Sequence, residues 1–145
     1  MIKSYRGLIA DGGQDRIPLH TNDGTMGYRI VKLQIMGEKP GDSSSGSYEH
    51  IIKVYSVEQD SIDRVVNFND PTLLAAGLNF AQTSPQFDGN KVIIFDNTIF
   101  NQDIYITHID GDSSTPGNYH LELEQVKLTE EQALVAIVKN LRNEQ

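Results

Sequence analysis

The apolar residues of this chain fall in short clusters of about four to nine, β-branched or aromatic, fenced by Gly, Asn, Asp, Pro or Ser, and that spacing most constrains the fold. It predicts about eight strands in an all-β chain. The clearest strand runs from Tyr28 to Met36, where Val31, Leu33 and Ile35 alternate with Lys32 and Gln34 and leave one face wet. In Tyr48 to Val57, Ile51, Lys53 and Tyr55 share one face while Ile52 and Val54 share the other, which predicts partial cover on both sides. Val65 to Phe68, Val92 to Phe95, Asp103 to Ile109 and Tyr119 to Val126 read as further strands. In the last of these, Tyr119, Leu121 and Leu123 alternate with His120, Glu122 and Glu124, so its outer face is acidic and solvated.

The connections follow from turn chemistry. Gly37 to Ser47 (GEKPGDSSSGS) is too polar to pack and reads as a hairpin tip or an exposed arm. Gly111 to Gly117 (GDSSTPG) is expected to join its flanking strands as an antiparallel hairpin with a long turn. Asp70, Pro71 and Gly77 bracket LLAAG in a way that fits either one helical turn or an irregular crossover. Met1 to Ile9 precedes the first firm turn, at Asp11 to Gly13, and reads as an arm available to a partner. Only the C-terminal end has a helical period. Thr129 and Gln132 make a capping box, Glu130 and Glu131 suit the positive end of the helix dipole, and Leu134, Ile137, Val138 and Leu141 recur at i, i+3, i+4, i+7 over residues 130–142. Packing of that stripe on the sheet is favoured over a partner surface. With 145 residues, the whole chain 1–145 is expected to form one jelly-roll-like antiparallel β-sandwich with one C-terminal amphipathic helix.

Charge and chemistry narrow the function classes. The formal net charge is -8, and residues 58–126 carry eleven Asp and Glu against Arg64 and Lys91 alone, the wrong sign for neutralising phosphates, so no nucleic-acid partner is expected. There is no Cys, which removes disulfides, thiolate zinc sites and cysteine nucleophiles. MIKSYRGLIADGG holds no apolar stretch of signal-peptide length and no run approaches a membrane span, so the chain is expected to be soluble and made in the cytoplasm, with no membrane partner. His20, His50, His108 and His120 match no ligand spacing; His108 and His120 could meet across the expected hairpin, but a third zinc ligand is not evident, and ordinary strand histidines are the better reading. Asp110-Gly111-Asp112-Ser113-Ser114 opens like a calcium loop yet lacks the later Gly and Glu, and Asp11-Gly12-Gly13-Gln14-Asp15 is better read as a tight turn. No Gly-x-Ser-x-Gly elbow or phosphate-cradling glycine pattern is present. Tyr5, Tyr28, Tyr48, Tyr55, Tyr105 and Tyr119 could line a groove, although core and interface roles are commoner for tyrosine. No catalytic, cofactor or metal residues are therefore assigned, no cofactor is expected, and the chain is read as non-enzymatic.

Three blocks carry a family likeness: Ile9 to Met36 (IADGGQDRIPLHTNDGTMGYRIVKLQIM), Leu73 to Phe80 (LLAAGLNF), and Asn101 to Arg142, which contains NQDIYITHIDG and NYHLELEQVKLTEEQALVAIVKNLR. They resemble small virion structural proteins of marine tailed bacteriophages, of the cyanophage and pelagiphage type. The resemblance implies a non-enzymatic virion component, a capsid decoration protein ahead of a tail or fibre-attachment protein, partnered by copies of itself and other virion proteins as a homo-oligomer. It transfers no site residues. The alternative from another class is a carbohydrate- or receptor-binding jelly-roll module, supported by fold analogy alone.

Overall fold

A computed structural model describes the chain except residues 22–23, 41–46, 84–85, 96–97 and 144–145. Among the described residues eight strands and one helix follow in order: β1 (Ile2–Ile9), β2 (Gln14–Ile17), β3 (Met26–Gly37), β4 (Tyr48–Tyr55), β5 (Leu73–Thr83), β6 (Gln86–Ile94), β7 (Ile104–Asp110), β8 (Gly117–Lys127) and α1 (Glu130–Asn143). They form two antiparallel sheets, ordered β1-β8-β3 and β2-β7-β4-β5-β6. The pairing is nested: β1 with β8, β2 with β7, β4 with β5. That is a long hairpin of β1 to β4 against β5 to β8 rolled into two sheets, the winding of a jelly roll. The fourth nested pair is the exception, because β6 joins the far side of β5 instead of forming a ladder with β3.

The inner faces meet in one apolar cluster that includes Ile30, Leu33 and Ile35 of β3, Ile52 and Val54 of β4, Ile104 and Ile106 of β7, and Leu121 and Leu123 of β8. Each such side chain contributes about 1.5 to 3 kcal/mol on burial. The sheets approach closely at β5, where a Cβ on Gly77 would lie 2.2 Å from Ile35 Cδ1, so the small inward residues Ala75 and Gly77 make room for β3.

Several expectations are corrected. LLAAG is neither a helical turn nor a crossover but the buried start of β5: Thr72 N–H does donate to Asp70 Oδ1 at 2.9 Å, yet the chain leaves that Asx turn extended. Val65 to Phe68 is no strand. Its region spends its backbone donors on local turns, Asn69 N–H to Asn67 Oδ1 at 3.0 Å and Asp70 N–H to the Asn67 carbonyl at 3.1 Å, and Val65, Val66 and Phe68 are exposed. Met1 to Ile9 is not an arm, since residues 2–9 pair with β8 along their whole length. The Gly111 to Gly117 segment is no hairpin: β7 lies between β2 and β4, β8 between β1 and β3, and the segment crosses from one sheet to the other. In β3 a register shift between Ile30 and Lys32 turns Val31 outward, so Ile30 replaces it in the inner row.

The strand Tyr48 to Tyr55 is covered on both faces, as its sequence predicts. Ile52 and Val54 face the core, while Lys53, 2% exposed, lies under the 57–72 loop and donates from Nζ to the Val65 carbonyl at 2.6 Å and to Asp63 Oδ1 at 3.1 Å. The capping box also forms: Gln132 N–H donates to Thr129 Oγ1 at 3.2 Å and Thr129 N–H to Gln132 Oε1 at 3.0 Å. The helix turns differently from expectation, however. Among the described side chains of the helix Ala133 is buried and Ile137 half-buried, whereas Leu134 is 62% and Val138 44% exposed; the Leu141 side chain lies outside the described ones. The reason is the anchor at its first turn, where Asn101 Nδ2 donates to the Ala133 carbonyl at 3.1 Å and to the Gly24 carbonyl at 3.0 Å.

Candidate functional site

One polar cluster lies where β4 and β7 carry His50 and His108 inward. His50 Nδ1 and His108 Nε2 are 2.9 Å apart, and both rings are buried. His108 Nδ1 lies 3.1 Å from the Ala10 carbonyl, which can only accept, so His108 donates there and its Nε2 accepts from His50 Nδ1–H. Burial pushes His50 below the ordinary imidazole value; His108 pushes the same way and Asp110 opposes. Gly117 of β8 seals the pair, since a Cβ there would sit 2.7 Å from His108 Nε2. The pair ties β4 to β7 within the five-stranded sheet, and both rings are closed off from solvent.

Beside them Asp110 organises the crossing segment. Its carboxylate accepts from the N–H groups of Glu49, Asp112, Ser113 and Thr115 and from the Thr115 hydroxyl at 2.6 Å. Burial opposes the charge, but these donors outweigh it and hold the carboxyl well below its usual range. Five donors thus converge on the Asp110 carboxylate, and the Asp-rich segment folds as a turn around it. Asp11 likewise accepts from Asp110 N–H at 2.7 Å, and Gly12 holds φ of 77°, which explains the glycine pair as a turn.

A second carboxylate hub sits at the start of β7. Asp103 accepts from Arg16 Nε at 2.8 Å and from its Nη2, from Leu19 N–H at 2.9 Å, and from His20 N–H at 3.1 Å, with His20 Nδ1 at 2.6 Å. Burial again opposes ionisation, and the His20 and Arg16 bonds with the backbone donors overcome it, leaving the carboxyl well below its usual range. The hub closes the β2 end of the five-stranded sheet.

The four histidines thus separate. His108 meets His50 instead of His120, because β7 and β8 belong to opposite sheets. His120 lies on the outer face of the three-stranded sheet, 3.5 Å from Glu122, and His20 belongs to the Asp103 hub. Among the described residues no group of three His, Asp or Glu is placed to hold a metal ion. Of the tyrosines, Tyr28 and Tyr119 are core residues, Tyr119 pushed above the ordinary phenol value by burial and by Asp15. The six do not line a common groove. Residues 41–46 of the polar loop lie outside the described residues.

Open clefts among the described residues include two that the three-stranded sheet and α1 flank. A cleft of about 650 Å³ on the three-stranded sheet is lined by Arg6, Gln34, Met36, Asn90, Asn118 and His120 among others. A second, of about 480 Å³, runs beside α1 between Ile99, Leu128 and Val135. Sequence reasoning missed the Asp103 hub and the partners of the buried Lys53. The one available signal was parity: His108 shares a face with Ile104 and Ile106, which marks it as inward. Among the described residues no helix is long and apolar enough to cross a membrane. No protein-family model matches the chain, and no curated protein is significantly similar to it.

Proposed function

We propose that the chain is a non-enzymatic structural component of a tailed-phage virion, a capsid decoration protein that associates with copies of itself and with other virion proteins. The observation that carries this reading is the jelly-roll winding, an architecture that viral capsid domains use, together with the sequence resemblance of three blocks to phage virion proteins. The polar clusters support it from another side: the His50–His108 pair and the Asp103 and Asp110 hubs hold loops and sheets together. Exposed apolar side chains on β1 and on α1, such as Leu8 and Leu134, are the kind of surface that neighbours in a particle bury. Cosedimentation of the full chain with phage particles lacking it is the test. Saturable binding, with electron cryomicroscopy showing the chain on the head, supports the proposal; a chain that never joins any particle overturns it.

A second reading, a carbohydrate-binding module, is favoured by the amide-rich cleft, since Gln34, Asn90 and Asn118 offer paired donors and acceptors to sugar hydroxyls. Its sign would be glycan-array binding by the isolated chain that is lost in Asn118→Ala.

A further inference from the structure

We propose that β1 is a dimerisation edge: two copies of this chain join β1 to β1 antiparallel about a twofold axis through Tyr5, fusing their three-stranded sheets into one six-stranded sheet. This deepens the assembly reading above by naming its first contact.

The sandwich has four edge strands, and β1 is the one left plain. β2 is only four residues long. β3 carries the register shift at Ile30/Lys32, and its backbone at Tyr28 is already bonded to Phe100 in both directions, at 2.8 and 2.9 Å. β6 lies beside β3, which it contacts. Short length, bulges, proline, charged side chains and covering segments are the devices by which proteins blunt edges. Of these, eight-residue β1 carries only the charges of Lys3 and Arg6 among the described residues: it has no bulge, no proline, and pairs with β8 alone.

The hydrogen-bond phase fixes which groups are free. Gln125 N–H donates to the Met1 carbonyl, so in the β1–β8 register the odd residues of β1 form the bonded pairs. The N–H and C=O groups of Ile2, Ser4, Arg6 and Leu8 therefore point away from β8. These are also the residues whose side chains face outward.

One antiparallel register uses all four. It sets Ile2 opposite Leu8 of the second copy and Ser4 opposite Arg6, giving four bonded pairs and about eight main-chain hydrogen bonds. Ile2 and Leu8, each about half exposed in the single chain, then meet as apolar cross-strand pairs. Slipping by one pair towards the C-terminus would set Arg6 against Arg6, and slipping the other way would set apolar Ile2 against Arg6.

The charges agree with this register. Ser4 neighbours Glu122 on β8, so Arg6 of the second copy, opposite Ser4, lies two strand spacings from Glu122, about 9.6 Å between backbones, which the two long side chains span. On the inner face Lys3 falls opposite Gly7 of the second copy and brings no like charge against it, its ammonium lying over the Tyr28 ring of its own chain, 5.8 Å from the centroid. Tyr5 meets Tyr5 on the axis as an aromatic pair. Arg6 thus finds an acid, and the twofold supplies that pair twice.

Sedimentation velocity of the full chain from micromolar to about millimolar concentration should show a monomer–dimer equilibrium. Ser4→Pro removes an N–H that faces solvent in the single chain, so it should leave the fold and melting temperature nearly unchanged. Loss of bonds at the dimer centre should weaken association at least about tenfold, the equivalent of about 1.4 kcal/mol. The register is read separately, since the chain has no native Cys: mixed Ser4→Cys and Arg6→Cys chains should form a heterodisulfide faster than either chain with itself, bonded-pair backbones being about 5.5 Å apart. A full chain that stays monomeric at about millimolar concentration, a dimer indifferent to Ser4→Pro, or cross-linking with no preference for the mixed pair each overturns the proposal. Particle binding without dimerisation would leave the virion reading standing and sink this one; dimerisation without particle binding would do the reverse.

Discussion

Asp103 is where a one-atom change should do most damage. Its side chain is about 10% exposed and serves two sets of donors: Leu19 N–H, His20 N–H and His20 Nδ1 on Oδ1, Arg16 on Oδ2. Asp103→Asn keeps the shape and replaces one acceptor by a donor. Whichever way the amide turns, its NH₂ faces either the guanidinium or the two backbone N–H groups. Leaving a buried donor unmet costs about 1 to 3 kcal/mol, so one badly served pair and the lost charge assistance should cost about 3 kcal/mol. In a chain of this size that is roughly 6 to 12 °C in melting temperature. The backbone donors should carry most of it, because Arg16 is 58% exposed and its attraction is screened. The assay is urea unfolding of wild type, Asp103→Asn and Arg16→Ala at pH 7 and pH 3. The Asp103 carboxyl is held below its unfolded value of about 3.9, so its contribution is complete above that pH and lost as pH falls below it, and the gap between wild type and Asp103→Asn should narrow at pH 3. An Arg16→Ala cost equal to that of Asp103→Asn, or a gap that does not narrow, would refute the assignment of the hub's weight to the buried backbone donors.

Three further outcomes are expected. Thr129→Ala should cost about 1 kcal/mol and lower helix content, since it deletes the bond that Gln132 N–H donates; unchanged circular dichroism and unfolding would show the cap to be idle. Leu134→Gln should change stability by no more than about 0.5 kcal/mol because the side chain is in water, and a loss of several times that in a melt would mean the face is buried. His50, pushed below the ordinary value by burial, stays neutral when folded while the unfolded chain takes up a proton below about pH 6.5. Stability complete above that pH should therefore decline on acidification by up to about 1.4 kcal/mol per pH unit, until the folded value is reached, and His50→Gln should flatten the slope; equal slopes in the two proteins between pH 6.5 and 5 would contradict the burial argument.

The elements that were legible in the sequence are those whose signal is local. The α1 cap is written in four adjacent residues, and β8 alternates strictly because one face meets the core and the other meets water. Where a segment is covered on both faces the alternation vanishes. LLAAG, at the start of β5, lies between β4 and β6 and beneath Ile35, so its small residues answer to a neighbour some forty positions away, and nothing nearby announces that. Val65 to Phe68 fails in the opposite direction: it has strand-forming side chains, but the buried Lys53 takes its carbonyl and asparagine turns take the donors that follow.

The candidate sites divide in the same way. That His108 faces inward was legible from Ile104 and Ile106, whereas its partner depended on which sheet β8 entered. Two strands joined by a turn of seven residues, GDSSTPG, ordinarily make a hairpin. Here Asp110 spends its whole carboxylate on turning the chain out of β7, and Gly117 admits the His50–His108 pair where any Cβ would collide with it. Once β8 is carried to the other sheet, its odd residues are free to bond an incoming strand, and β1 is the strand that takes them. The winding that removes His120 from His108 therefore also places β1 at an edge, with Ile2, Ser4, Arg6 and Leu8 turned outward. A segment that reads as a loose arm in the sequence becomes an ordered surface whose hydrogen-bond phase, and with it the register of a second copy, is set by a crossover at the far end of the chain.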